Sequence, residues 1–95
     1  MVVALILDLP GVTDAQYATA RAMLGEALQP GNLVHVAGPA EDGWRIVEVW
    51  ESAATMGAFF QSAAAGAAFQ AAGIPPAQPT VFPVSALAAA AYPGR

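Results

Sequence analysis

The sequence contains no cysteine, which excludes disulfide frameworks, thiol nucleophiles and zinc–thiolate sites. Its single histidine excludes a multi-histidine metal site within one chain. Basic residues are scarce, with three Lys+Arg against seven Asp+Glu and a net charge of −4. Three scattered cations cannot neutralise a run of phosphates, so nucleic acid is not expected as a partner. Charge of either sign amounts to 11% of residues, less than half of the roughly 25% usual in soluble domains. It is also unevenly placed: nine of the ten charges precede Ser52, and the 43 residues from Ser52 to Gly94 carry none. What is present is apolar. At 57% hydrophobic the chain is not of disordered composition, and 95 residues make one domain.

Ala53–Ala72, in the uncharged half, is long enough to cross a bilayer. Its content argues against a span, because it is mostly Ala and Gly, includes Gln61, Ser62 and Gln70, and has only Met56, Phe59, Phe60 and Phe69 as large residues. Met1–Leu9 lacks a basic region and is interrupted by Asp8, so it does not read as a signal peptide. A soluble, cytoplasmic protein without membrane partners is expected.

Val2–Leu9 is a nearly continuous Val/Ile/Leu run, which predicts a central strand buried on both faces and ended by Pro10-Gly11. Thr13-Asp14-Ala15-Gln16 reads as a capping box. Tyr17, Ala20, Leu24 and Leu28 follow on one helical face, and Gln29-Pro30-Gly31-Asn32 stops that helix. Leu33–Ala37 and Trp44–Glu51 predict two strands joined through Gly38–Gly43. Ser52 can cap a second helix with Met56, Phe59, Phe60, Ala63 and Ala67 on one stripe. Phe69 falls opposite that stripe, which predicts a break near Ala65–Gly66. Gly73 and Pro75-Pro76 end the helix. Thr80–Val84 predicts a last strand, placed at a sheet edge by Pro83. The domain thus runs over residues 1–84, with an Ala-rich tail over 85–95.

The order β-α-β-β-α-β is the split βαβ pattern of a ferredoxin-like α+β fold, a four-stranded antiparallel sheet with its helices on one face. The other sheet face is apolar too, since Val47 and Val49 alternate with the Trp44, Ile46 and Trp50 side. A second copy of the chain is the simplest cover for it, which predicts a homodimer.

Gly43-Trp44-Arg45-Ile46-Val47-Glu48-Val49-Trp50-Glu51-Ser52 resembles the third strand of dimeric α/β-barrel proteins, especially the antibiotic-biosynthesis-monooxygenase-like group, where a V-W-E-S stretch leads into the second helix. The turn Ala72-Gly73-Ile74-Pro75 and the strand Val81-Phe82-Pro83-Val84 add to the resemblance, which spans about Val2 to Val84. It implies a dimer with a central barrel and one pocket per chain between sheet and helices, with Trp50 matching a pocket-lining tryptophan. Haem-degrading relatives carry a histidine on the second helix, and Ala53–Ala72 has none. Quinone-forming relatives carry an asparagine shortly before that tryptophan and a tyrosine after it; this sequence has Ile46 and Met56 nearby.

His35 is of the one residue type whose ordinary pKa lies near neutrality. It sits among Leu33, Val34 and Val36 and reads either as a general base or as a hydrogen-bonded histidine at a sheet edge. Glu48 shares a strand side with Trp44 and Trp50, where a carboxylate is desolvated. It faces His35 if the hairpin closes with a four-residue loop, Ala40–Gly43, whereas a five-residue loop puts Val47 there. Its bland alternative is an ion pair with Arg45, Arg21 or a partner chain. Tyr17 can supply a hydroxyl to the pocket or serve as core. Trp44 and Trp50 flank an aromatic slot, with Ile46 and Phe60 as further apolar walls for a substrate, or else are core. Asp8 caps the Pro10-Gly11 turn, and Arg45 points into the dimer barrel. Without a glycine-rich phosphate loop or an acidic cluster, neither metal nor nucleotide cofactor is expected.

Two functions compete at this point. One is a cofactor-independent monooxygenase or polyketide cyclase acting on an apolar aromatic molecule, with His35 as base assisted by Glu48 and Tyr17. The other is a non-catalytic ligand-binding or assembly module, favoured by the missing family residues and the uncharged half, which would form oligomers larger than a dimer.

Overall fold

The computed structural model describes residues 1–89. Its elements are β1 (Val3–Pro10), α1 (Asp14–Leu24), β2 (Asn32–Ala40), β3 (Gly43–Trp50), α2 (Ala53–Phe60), α3 (Ala63–Ala72) and β4 (Thr80–Pro83). The strands make one antiparallel sheet in the order β2-β3-β1-β4. This is the ferredoxin-like α+β topology, with β1 central and β4 at an edge beside it. Ser85–Ala89 continues without regular structure, and residues 90–95 of the expected tail lie outside the described residues. Among the described residues no helix is long and apolar enough to cross a membrane.

The Thr13–Gln16 capping box forms: the Thr13 hydroxyl accepts from the Gln16 amide, and Gln16 Oε1 accepts from the Thr13 amide. Gln16 also donates through Nε2 to the carbonyls of Ala72 and Gly73, at 3.3 and 3.1 Å. One side chain therefore satisfies backbone groups at the start of α1 and the end of α3. Gln16→Ala removes both sets of bonds and is expected to lower stability by about 1–2 kcal/mol. Thermal denaturation would read this as a fall in Tm of several degrees.

Three boundaries differ from the sequence reading. β2 runs past Ala37 through Gly38-Pro39-Ala40, which pair with Arg45, Trp44 and Gly43, so the turn is Glu41-Asp42 alone. α1 ends at Leu24, because Gly25 takes φ +85° and its amide closes on the Arg21 carbonyl. Leu28 continues the spacing but lies beyond the helix and is half exposed. The second helical segment breaks at Gln61–Ser62, not at Ala65–Gly66. Ser62 caps α3 by accepting from the Ala65 amide, and a capping hydroxyl ends one helix and starts another more effectively than an interior glycine. The break re-aims Phe69 so that its ring lies 6.5 Å from that of Phe60.

The β2–β3 hairpin closes with Ala40 opposite Gly43, which sets His35 opposite Glu48. At Gly43 a Cβ would meet the Leu9 carbonyl oxygen at 2.2 Å, so only glycine lets the hairpin end lie against β1. The Pro10-Gly11 turn is held by the Gly11 amide on the Asp42 carbonyl. Asp8 does not cap that turn. Its carboxylate accepts from Arg45 Nε and Nη2 at 2.6 and 3.2 Å across the outer sheet face. That hydrogen bond holds the Asp8 carboxyl below its ordinary pKa.

Helices cover one sheet face. Val3, Leu5, Leu7 and Leu9 of β1 and Trp44, Ile46 and Trp50 of β3 pack with Ala20, Ala68, Ala72 and Ile74, and the alanines let the helices sit close to the sheet. The opposite face carries Ala4, Ile6, Val34, Val47 and Val49, with Val36 and Phe82 well exposed.

Candidate functional site

Sheet register and one bulge build the site. Glu48 lies on the helix-facing side of β3 and is buried, with Trp50 two residues on along the same side. Each carboxylate oxygen is engaged. Trp50 Nε1 donates to Oε1 at 2.9 Å, and His35 Nδ1 lies 2.6 Å from Oε2, with Asn32 Nδ2 at a long 3.5 Å from the same oxygen. A carboxylate can only accept, so Nδ1 carries the shared proton, and in the neutral imidazole Nε2 then presents its lone pair. That lone pair meets the Tyr17 hydroxyl at 2.5 Å. The result is a continuous chain, Trp50–Glu48–His35–Tyr17, in which the first side chain is fully buried and the last is half-buried.

Tyr17 comes from the first turns of α1, with its ring 5.1 Å from Trp44 and 6.1 Å from the His35 imidazole, almost parallel to the latter. Burial pushes the Tyr17 phenol above its ordinary pKa; the Arg21 cation opposes this and the Glu48 charge adds to it. Tyr17 is therefore a hydroxyl at neutral pH and can donate to His35. Because the folded pKa is raised, the stabilisation is complete below the ordinary value near 10.0 and is lost as pH rises through the folded value. In a Tyr92→Phe variant, absorbance at tyrosinate wavelengths should show the remaining phenol ionising above 10.0.

A cavity of about 50 Å³ opens beside this chain, bounded by Tyr17, His35, Glu48, Ile46, Phe59 and Phe60. It holds a few waters and no more. Among the described residues no three carboxylate or imidazole side chains gather as a metal site.

No family model matches the chain, and no curated protein does. Solved structures do. An assigned antibiotic biosynthesis monooxygenase from Chloroflexus aurantiacus superposes with TM-score 0.65 at 23% identity, covering 93% of this chain and 98% of that one. A second, from Deinococcus radiodurans, gives 0.60 at 15% identity, covering 97% and 100%. SnoaB, a cofactor-independent oxygenase from Streptomyces nogalater, gives 0.63 at 13% identity in a variant form, covering 90% and 94%. The chain shares the ferredoxin-like α+β fold of these structures.

Within this fold the three residues read as catalytic, His35, Glu48 and Tyr17, come together. Of the four read as substrate walls, Ile46 and Phe60 border the inner cavity. Trp50 and Trp44 do not. Trp50 is fully buried, stacked 5.5 Å from Phe59 and spent as a donor to Glu48, whereas Trp44 packs behind Tyr17 with its Nε1 unpartnered. The ion pairs considered for Glu48 with Arg45 or Arg21 are absent, and its partner is His35. Asn32 and Phe59 also belong to the site. Asn32 lies three residues before His35, a spacing that strict alternation puts on the opposite face. A bulge between Asn32 and Val34 brings both to the same side. Phe59 was legible as a large residue on the second helix stripe.

Proposed function

We propose that this chain is a cofactor-independent enzyme that takes a proton from an apolar aromatic small molecule, with His35 as the general base. The observation that supports this best is the Glu48–His35–Tyr17 chain ending at a cavity, with spacings of 2.6 and 2.5 Å. The Tyr17 oxygen accepts the proton of an acidic substrate C–H or O–H while its own proton passes to His35 Nε2. Glu48 stabilises the imidazolium that forms and is held in place by Trp50. The substrate is left as an enolate or phenolate. The likeness to SnoaB, named a cofactor-independent oxygenase, supports the same class. We further propose a cytoplasmic homodimer, joined through the apolar outer sheet face.

The test is deuterium exchange at the acidic carbon of an enolisable aromatic ketone such as β-tetralone, followed by NMR. His35→Ala should slow exchange by at least roughly a hundredfold, the ordinary contribution of a positioned base. Unchanged exchange would leave only the non-catalytic ligand-binding reading of the fold.

A further inference from the structure

Several local devices hold Asn32 where it is. Gly31 before it takes φ +84° and packs so closely on Thr55 that a Cβ would lie 2.8 Å from the Thr55 Cβ, so the position requires glycine. The Gly31 carbonyl accepts from the Glu51 amide, and the Asn32 amide donates to the Gln29 carbonyl. The bulge that follows in β2 sets the Asn32 side chain on the same side as His35. The result is a side-chain amide only 7% exposed, at a cavity whose other borders include Ile46, Phe59, Phe60 and Ile74.

That amide is half used. Nδ2 faces Glu48 Oε2 at a long 3.5 Å, and Oδ1 has no partner among the described residues. Turning the amide over gives no relief, because Oδ1 would then face a carboxylate oxygen. Glu48 does not depend on the contact, since its two oxygens already accept from Trp50 and His35. A buried acceptor without a donor costs free energy that a leucine, with the same branching at Cγ, would avoid. The fold therefore carries at this point a polar group that its own stability does not call for.

We propose that Asn32 is a specificity-determining residue: its Oδ1 accepts a hydrogen bond from a hydroxyl that the substrate carries beside its acidic C–H, so the ligand is a neutral hydroxy-carbonyl compound. This rests on the proton-abstraction reading above. Asn32 borders the same cavity as Tyr17 and His35, so a ligand that gives its proton to Tyr17 has its neighbouring group near Asn32. The volume of about 50 Å³ suits a hydroxymethyl end, which takes the space of about two waters. Half-exposed Leu28 borders the cavity on its solvent side, where the rest of the ligand would lie. Arg21 also borders it, and a cation there disfavours an ammonium as the donor and leaves a hydroxyl.

Hydroxyacetone and methoxyacetone test this. Both are neutral ketones with acidic C–H bonds, and only the first has an O–H. Deuterium incorporation at the oxygen-bearing carbon, followed by NMR and divided by each ketone's rate in buffer, should favour hydroxyacetone by at least roughly tenfold, because a site built around an O–H is left with an unpaired acceptor by the methyl ether. In Asn32→Leu the preference should fall to about twofold or less, through loss of the hydroxyacetone rate, and Tm should not fall. An Asn32 that merely props Glu48 would instead slow both ketones alike and lower Tm. That outcome would overturn the proposal, as would a parent without preference. Saturation-transfer NMR on His35→Ala makes the same comparison without turnover: hydroxyacetone should still bind in preference, and equal or absent signals for the two ketones would overturn the proposal. Failure of the base assignment is read separately, as exchange that persists in His35→Ala.

Discussion

Glu48→Gln is expected to keep the fold and to lower the proton-exchange rate by roughly four orders of magnitude, the scale on which an orienting carboxylate acts in a histidine relay. The reason is tautomeric. In the wild type the carboxylate accepts from both Trp50 Nε1 and His35 Nδ1, at 2.9 and 2.6 Å. A glutamine has one accepting oxygen. Satisfying Trp50 with it turns the amide nitrogen toward His35 Nδ1, a donor facing a donor. The imidazole resolves the clash by moving its proton to Nε2, which then points at Tyr17 with a hydrogen instead of a lone pair. The relay keeps its geometry and loses its proton sink. Glu48→Ala has a different signature. It leaves the Trp50 indole N–H and the His35 Nδ1–H without an acceptor in a buried place, and is expected to destabilise the fold by about 3–5 kcal/mol. That is a large share of the roughly 5–15 kcal/mol that hold a domain together. Urea denaturation separates the two variants: the Gln midpoint lies near that of the parent and the Ala midpoint falls sharply. Exchange in Glu48→Gln within tenfold of the parent would remove Glu48 from the relay.

The order of elements was legible because the apolar period changes from two to 3.6 and back, with Thr13, Ser52 and Gly73 marking helix ends by their own chemistry. The His35–Glu48 pairing was legible only as one of two registers. The choice between them depends on closure over Glu41-Asp42, and that depends on Gly43 fitting against the Leu9 carbonyl, a contact between segments far apart in the chain. Two kinds of feature were hidden. Asn32 was masked by a bulge, which changes face without changing composition. The roles of the two tryptophans were hidden because a side chain that lines a pocket and one that packs behind it have the same strand parity: Trp50 and Ile46 share a face, yet only Ile46 reaches the cavity. The helix break fell at Ser62 and not at Gly66, because a side chain that replaces a missing backbone bond outweighs conformational freedom alone.

Val47→Asp is expected to halve the mass in solution. Light scattering on the parent should give twice 9.6 kDa, and on the variant 9.6 kDa. Val47 sits mid-face on the side of the sheet away from the helices, opposite Ile6 on one neighbour and Val36 on the other. Around it that face offers Ala4, Val34, Val49 and Phe82, and its charged feature is the Asp8–Arg45 pair, which already satisfies itself. Such a surface has little to gain from water and much from a copy of itself. In a two-fold dimer each substitution occurs twice, so two carboxylates would enter one apolar interface whose one cation among the described residues of that face, Arg45, is already paired with Asp8. The fold itself should survive, because the helix-facing core built on Leu5 and Trp50 lies on the opposite side of the sheet. Unchanged circular dichroism with a monomer mass is the expected pair of results. A variant that still weighs two chains would place the interface elsewhere, and a parent that weighs 9.6 kDa would leave the outer face uncovered by a second copy.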